Sequence, residues 1–125
     1  MSNTNAFQKE LLEQGKYAEA VIDMIGQSKG TTFAQIEKFL APHMEIDGDL
    51  SLYNLVQPTL IFWIGMSAQF SDVMVQVMRS GKVEGRPTSP LTYHADGKVP
   101  TLPVAKKAMQ HTDPHWVPLA FYPSK

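Results

Sequence analysis

The chain has 125 residues, of which 43% are hydrophobic, a length and composition that fit one folded domain over residues 1–125 and argue against wholesale disorder. It contains no cysteine, which excludes a disulfide framework, a thiolate metal cluster and a cysteine nucleophile, and is the usage expected of a cytoplasmic protein. The formal net charge is only -1, but residues 1–78 carry four Lys against nine acids while residues 79–125 carry seven Lys and Arg against three acids, so an anionic partner would meet the C-terminal half first.

The polar opening stretch lacks the basic start and continuous apolar core of a signal peptide. The strongest apolar run, residues 59–64, is far too short to cross a bilayer as a helix, so no membrane partner is expected. Residues 6–26 predict a first helix. Phe7, Leu11, Ala18, Ile22 and Ile25 recur at helical spacing, and Leu12, Val21 and Met24 widen that stripe. Gly15 weakens the middle of this helix, and the stretch 26–30 ends it.

Thr32 caps a second helix, with Gln35 three residues later returning the capping-box bond; Phe33, Ile36, Phe39 and Leu40 form its buried face and Pro42 closes it. Residues 43–53 read as an acidic, turn-like insertion, with Asp47-Gly48 at the turn. The insertion lacks the oxygen-ligand spacing of an EF-hand calcium loop. The β-branched and aromatic run 59–64, bounded by Pro58 and Gly65, predicts a buried strand; a short buried helix from Leu52 through Ile64 is the alternative, which Pro58 would interrupt.

Ser67 caps a third helix to about Ser80, with Phe70, Val73, Met74, Val77 and Met78 inward and Gln69, Ser71, Asp72, Gln76 and Arg79 outward. Gly81 ends it. Two extended segments, 82–86 and 91–94, follow on either side of a stiff Pro87–Pro90 connection, and Asp96-Gly97 marks the next turn. A short helix is expected over 104–110, begun by Pro103. Trp116, Val117, Leu119, Phe121 and Tyr122 are too apolar for a free tail: they dock on the domain or form a contact with a protein partner, including a second copy.

This order of elements, with TFAQIEKFL followed by SAQFSDVMVQVMRSGKVEGRPTSPLTYH, resembles the winged-helix superfamily over about residues 6–95. The fold class it implies is α+β: a three-helix core, a small antiparallel sheet with a wing, an insertion before the third helix and a packed extension over 96–125. The resemblance implies double-stranded DNA as partner. The third helix would then offer Gln69, Ser71, Asp72 and Gln76 to a major groove, while Arg79, Lys82 and Arg86 approach phosphates near the wing.

Against that implication, the helix has one basic residue, carries Asp72, and belongs to a chain of net charge -1, whereas nucleic-acid affinity is dominated by cations meeting phosphates. A protein-protein or assembly module on the same fold is the alternative, with Trp116, Phe121 and Tyr122 as its partner-binding residues. Enzymatic chemistry has no anchor: there is no phosphate-binding glycine loop, HExxH pair or nucleophile elbow. The alternation of His111, Asp113 and His115 in HTDPH is not a zinc spacing and reads as a structured turn, so no cofactor or metal is expected. Met24, Met74 and Met78 fit core faces, while Met44 and Met66, if exposed beside Trp63, would suit an adaptable protein groove.

Overall fold

The computed structural model describes residues 4–28, 30–105 and 113–124. Two helices, α1 (Ala6–Glu13) and α2 (Tyr17–Gly26), replace the single helix expected over 6–26. The break lies at Gly15, whose φ of 75° is left-handed. There the Gly15 N–H donates to the Leu12 carbonyl at 3.1 Å and the Lys16 N–H to Leu11 at 2.9 Å, the paired bonds of a Schellman stop. The glycine therefore terminates a helix rather than weakening one. Asn5 caps α1 in a capping box with Gln8, and the buried Gln8 amide donates to Asp23 of α2 at 2.8 Å, tying the pair together.

Strand β1 (Thr31–Thr32) leads directly into α3 (Phe33–Leu40), whose Thr32/Gln35 capping box forms as the sequence predicts. The expected acidic turn over 43–53 is instead largely strand β2 (Asp47–Tyr53), antiparallel to β3 (Leu60–Met66). Gly48 lies against the backbone of β3's end rather than in a turn: a Cβ there would stand 2.5 Å from the Met66 carbonyl oxygen and 2.7 Å from the Ser67 Cα. Close backbone approach, not turn geometry, is what requires this glycine. Three irregularities of register interrupt the β2–β3 pairing.

Helix α4 (Ala68–Arg79) starts at the Ser67 cap and buries Phe70, Val73, Met74 and Val77. Gly81, at φ 75°, turns the chain into β4 (Val83–Pro87). The segment expected to be extended at 91–94 is helical, within α5 (Pro90–Asp96). Ser89 caps it, Pro90 opens it and left-handed Gly97 ends it, and these local signals outweigh the strand preference of Thr92 and Tyr93. The two short strands β5 (His115–Trp116) and β6 (Leu119–Pro123) complete the chain. The helix expected at 104–110 falls mostly outside the described residues; Val104 forms a parallel bridge to Trp116.

The result is α+β, with five helices among the described residues and two three-stranded sheets, ordered β1-β6-β4 and β2-β3-β5. The first sheet is antiparallel throughout; in the second, β5 runs parallel to β3. β4 thus pairs with β6, from Val83↔Pro123 to Pro87↔Leu119, and not with residues 91–94. One core joins these layers through five packed aromatic rings. Phe121 meets Phe33 edge-on at 5.1 Å, Phe33 stacks on Trp63 at 5.5 Å, and Tyr93 contacts Trp63 at 5.4 Å and Trp116 at 4.9 Å.

Candidate functional site

The outer side of α4 presents Gln69, Asp72, Gln76 and Arg79 to solvent, with Ser71 half-buried. Its polarity follows from the helix itself, since Phe70, Val73, Met74 and Val77 take the opposite face into the core. Within that face the Gln76 amide donates to the Asp72 carboxylate at 2.9 Å. The turn at Gly81 brings Arg79 and Lys82, both exposed, to the junction of α4 and β4. Arg86 lies further along β4, paired with Glu84, its guanidinium 4.6 Å from the centre of the Tyr122 ring.

Lys98 is drawn elsewhere. Its ammonium donates to Glu37 at 2.7 Å and stands 3.8 Å from Asp47. Lys106 and Lys107 lie outside the described residues, so the cationic groups seen at the α4–β4 shoulder are Arg79 and Lys82, with Arg86 already ion-paired.

The C-terminal aromatics divide. Trp116 and Phe121 are buried in the core, which removes both as surface contacts of this chain. Tyr122 is half-buried between Arg86 and the turn at Gly30, where a Cβ would stand 2.9 Å from its hydroxyl. Met66 and Trp63 are buried as well, and Met44 packs against the core, so the methionine groove conceivable beside Trp63 does not form.

Sequence reasoning missed a polar network under α3. The Glu37 carboxylate, buried in the core, accepts from the Trp63 indole N–H at 2.7 Å on one oxygen and from Lys98 on the other. Asp96 accepts from the Thr32 hydroxyl at 2.8 Å, and its carbonyl accepts from Lys38 at 3.1 Å. Glu37, Lys38, Asp96 and Lys98 line an open groove of about 370 Å³ with Ala34, Ala41, Ile46 and Asp47. Lys98 pairs with Glu37 and Asp47, Lys38 donates to the Asp96 carbonyl and the Asp96 carboxylate accepts from Thr32, so the network clamps the segment after α5 to α3; neither a histidine nor a hydroxyl side chain lines the groove. Glu37 sits at a helical core position in an otherwise apolar stripe, and that misfit is the signal by which it was findable.

Of the histidines, His43 and His94 are exposed, and the His115 Nδ1 lies 2.8 Å from the Asp113 carbonyl. His111 is outside the described residues, and among those residues no three His, Asp or Glu side chains gather as a metal would require. Among the described residues Tyr93 is the most deeply buried titratable group, its hydroxyl accepting from the Phe33 N–H at 3.1 Å and donating to the Leu119 carbonyl. Burial raises its pKa well above the ordinary tyrosine value, because a phenolate there would be stripped of water.

The second feature that sequence reasoning missed is the surface of the β2–β3 hairpin. Leu50 is 45%, Tyr53 47%, Leu55 82% and Val56 95% exposed. Four large apolar side chains exposed along one hairpin are more than scattered surface residues usually provide. Among the described residues no helix is long and apolar enough to cross a membrane. Comparison of the chain with protein families, with characterised proteins and with solved structures finds no match.

Proposed function

We propose that this chain is a non-enzymatic, winged-helix-like module whose working partner is a protein. Support for the architecture comes from helices α2, α3 and α4 backed by an antiparallel sheet in which β6 pairs with both β1 and β4, together with the glycine turn that carries α4 into β4. In this reading β4 and β6 are the strands of the wing, and α5 and β5, which come between them in the chain, fold back on the rest of the domain.

The observation that carries the choice of partner is the charge of the exposed α4 face. Gln69, Asp72 and Gln76 put one negative charge and no positive charge where a recognition helix would meet a duplex, leaving Arg79 at the far end. Phosphate neutralisation supplies most of non-specific DNA affinity, and this face lacks the cations for it. DNA is the second reading, favoured by the exposed Arg79 and Lys82 at the α4–β4 shoulder.

Fluorescence anisotropy of a mixed-sequence duplex, titrated with the chain at low and moderate salt, separates the two. The expected result is no saturable binding even at low salt. Salt-sensitive binding that disappears in the Lys82→Ala/Arg86→Ala variant would overturn the protein reading in favour of DNA held at the wing.

A further inference from the structure

Between Lys38 and Arg79 the chain contains no Lys or Arg, whereas Glu45, Asp47, Asp49 and Asp72 fall in that interval. The fold gathers the first three acids at the base of the β2–β3 hairpin and exposes all of them. Among the described residues, Asp47 is the one member of this trio in an ion pair, with Lys98. Beyond the acids the hairpin is uncharged, and its apolar side chains run from Leu50 through Tyr53 to Leu55 and Val56 at the tip.

The tip is held in shape. The Asn54 side-chain oxygen accepts from the Val56 N–H at 2.8 Å and the Gln57 N–H at 3.0 Å. The Asn54 N–H donates to the Leu60 carbonyl at 2.9 Å, and the Leu60 N–H to Gln57 at 3.0 Å. Leu55 and Val56 are therefore presented outward on an ordered turn, where burying them against a partner forfeits little backbone entropy.

We infer that the β2–β3 hairpin is a docking arm for a partner protein whose groove has an apolar floor and a rim of Lys and Arg side chains. The inference rests on the protein reading above and names its surface. Charge complementarity selects the occupant: a nucleic acid or an anionic lipid surface would be repelled by Glu45, Asp47 and Asp49, while a cationic rim would be attracted to them. Pairing with a second copy along β2 is opposed by the register irregularities of this strand and by its two aspartates, the devices that keep sheet edges from joining. The apolar anchors supply affinity, and the acids supply rate and orientation.

The test places a photo-reactive phenylalanine analogue at position 55 of the full chain, and a second one at position 69 on α4, in the cells that make the protein. Any captured protein is then purified and titrated with the unmodified chain. The expected outcome is capture from position 55 of a protein whose binding weakens as salt rises. That binding should weaken at least about tenfold in Leu55→Ser/Val56→Ser and lose much of its salt dependence in Asp47→Asn/Asp49→Asn. Circular dichroism is expected to show both variants folded.

A protein captured only from position 69, or one whose affinity ignores the hairpin variants, would overturn the docking arm and leave the protein reading standing. Capture at position 55 of only a second copy, lipid or nucleic acid would also overturn the arm. Capture of no protein from either position would overturn both.

Discussion

The two sheets have three strands each and are used in opposite ways. In β1-β6-β4 the middle strand β6 buries Leu119, Ala120 and Phe121, and the sheet is held by an unbroken antiparallel ladder to β4. In β2-β3-β5 the outer strand β2 is exposed at every residue except the half-buried Leu52, and its ladder is repeatedly irregular. The first sheet is part of the packing that makes the chain fold; the second is anchored by Trp63 and Trp116 and spends its outer strand on solvent. On the docking-arm proposal, stability and recognition fall to different strands, because exposed apolar groups that would be covered only by a partner add little to the stability of the free chain.

Substitutions can break that contrast or sharpen it. The largest effect is expected from Phe33→Ala, since Phe33 touches both Trp63 and Phe121 and so joins the two sheets. Removing its ring should cost about 3–5 kcal/mol, a large share of a stability of roughly 5–15 kcal/mol, and urea denaturation followed by tryptophan fluorescence would measure it. A loss under about 1 kcal/mol would mean that the sheets do not share a core.

An intermediate effect is expected from Tyr93→Phe. It leaves the Phe33 N–H and the Leu119 carbonyl without the hydroxyl that joins them, at a cost of about 1–3 kcal/mol. The pH dependence carries a sign. Burial raises the Tyr93 pKa above the ordinary tyrosine value of 10.0, so above that pH the unfolded chain releases a proton that the folded chain retains. The stability tied to this group is present below pH 10 and is lost as pH rises towards the raised folded value, by about 1.4 kcal/mol per pH unit. Denaturation midpoints between pH 8 and 11 should therefore fall less steeply in Tyr93→Phe than in the parent.

The smallest effect is expected at the hairpin tip, where Leu55→Ser/Val56→Ser should change stability by no more than about 0.5 kcal/mol. Equal losses from the tip and from Phe33 would erase the division of labour between the sheets.

Several elements were legible because their signals are local. Thr32 and Gln35 announce α3, Ser67 announces α4, and the β-branched and aromatic run after Pro58 announces β3, which continues through Gly65 to Met66. Helix α5 carried a local signal too, the Ser89-Pro90 start and the Gly97 stop, but the strand preference of its central residues obscured it. The Asp47-Gly48-Asp49 stretch was misleading for a different reason: its composition is that of a turn, yet its glycine serves a contact with the backbone at Met66 and Ser67, far along the chain. Of the candidate site residues, those on α4 were legible as an outward face because helical periodicity separates them from Phe70, Val73 and Met74.

The sequence by itself determined the α+β composition, the caps and faces of α3 and α4 and the strand character of β3, since each depends on neighbours a few residues apart or on the sheer amount of apolar surface. Only the tertiary structure decided that β4 pairs with β6 across the segment 88–118, that Glu37 is neutralised by Lys98, and that Leu55 and Val56 face solvent while Trp116 and Phe121 do not. Those outcomes depend on which distant segments close on one another, and an apolar side chain carries no local mark of whether another part of the chain will arrive to cover it.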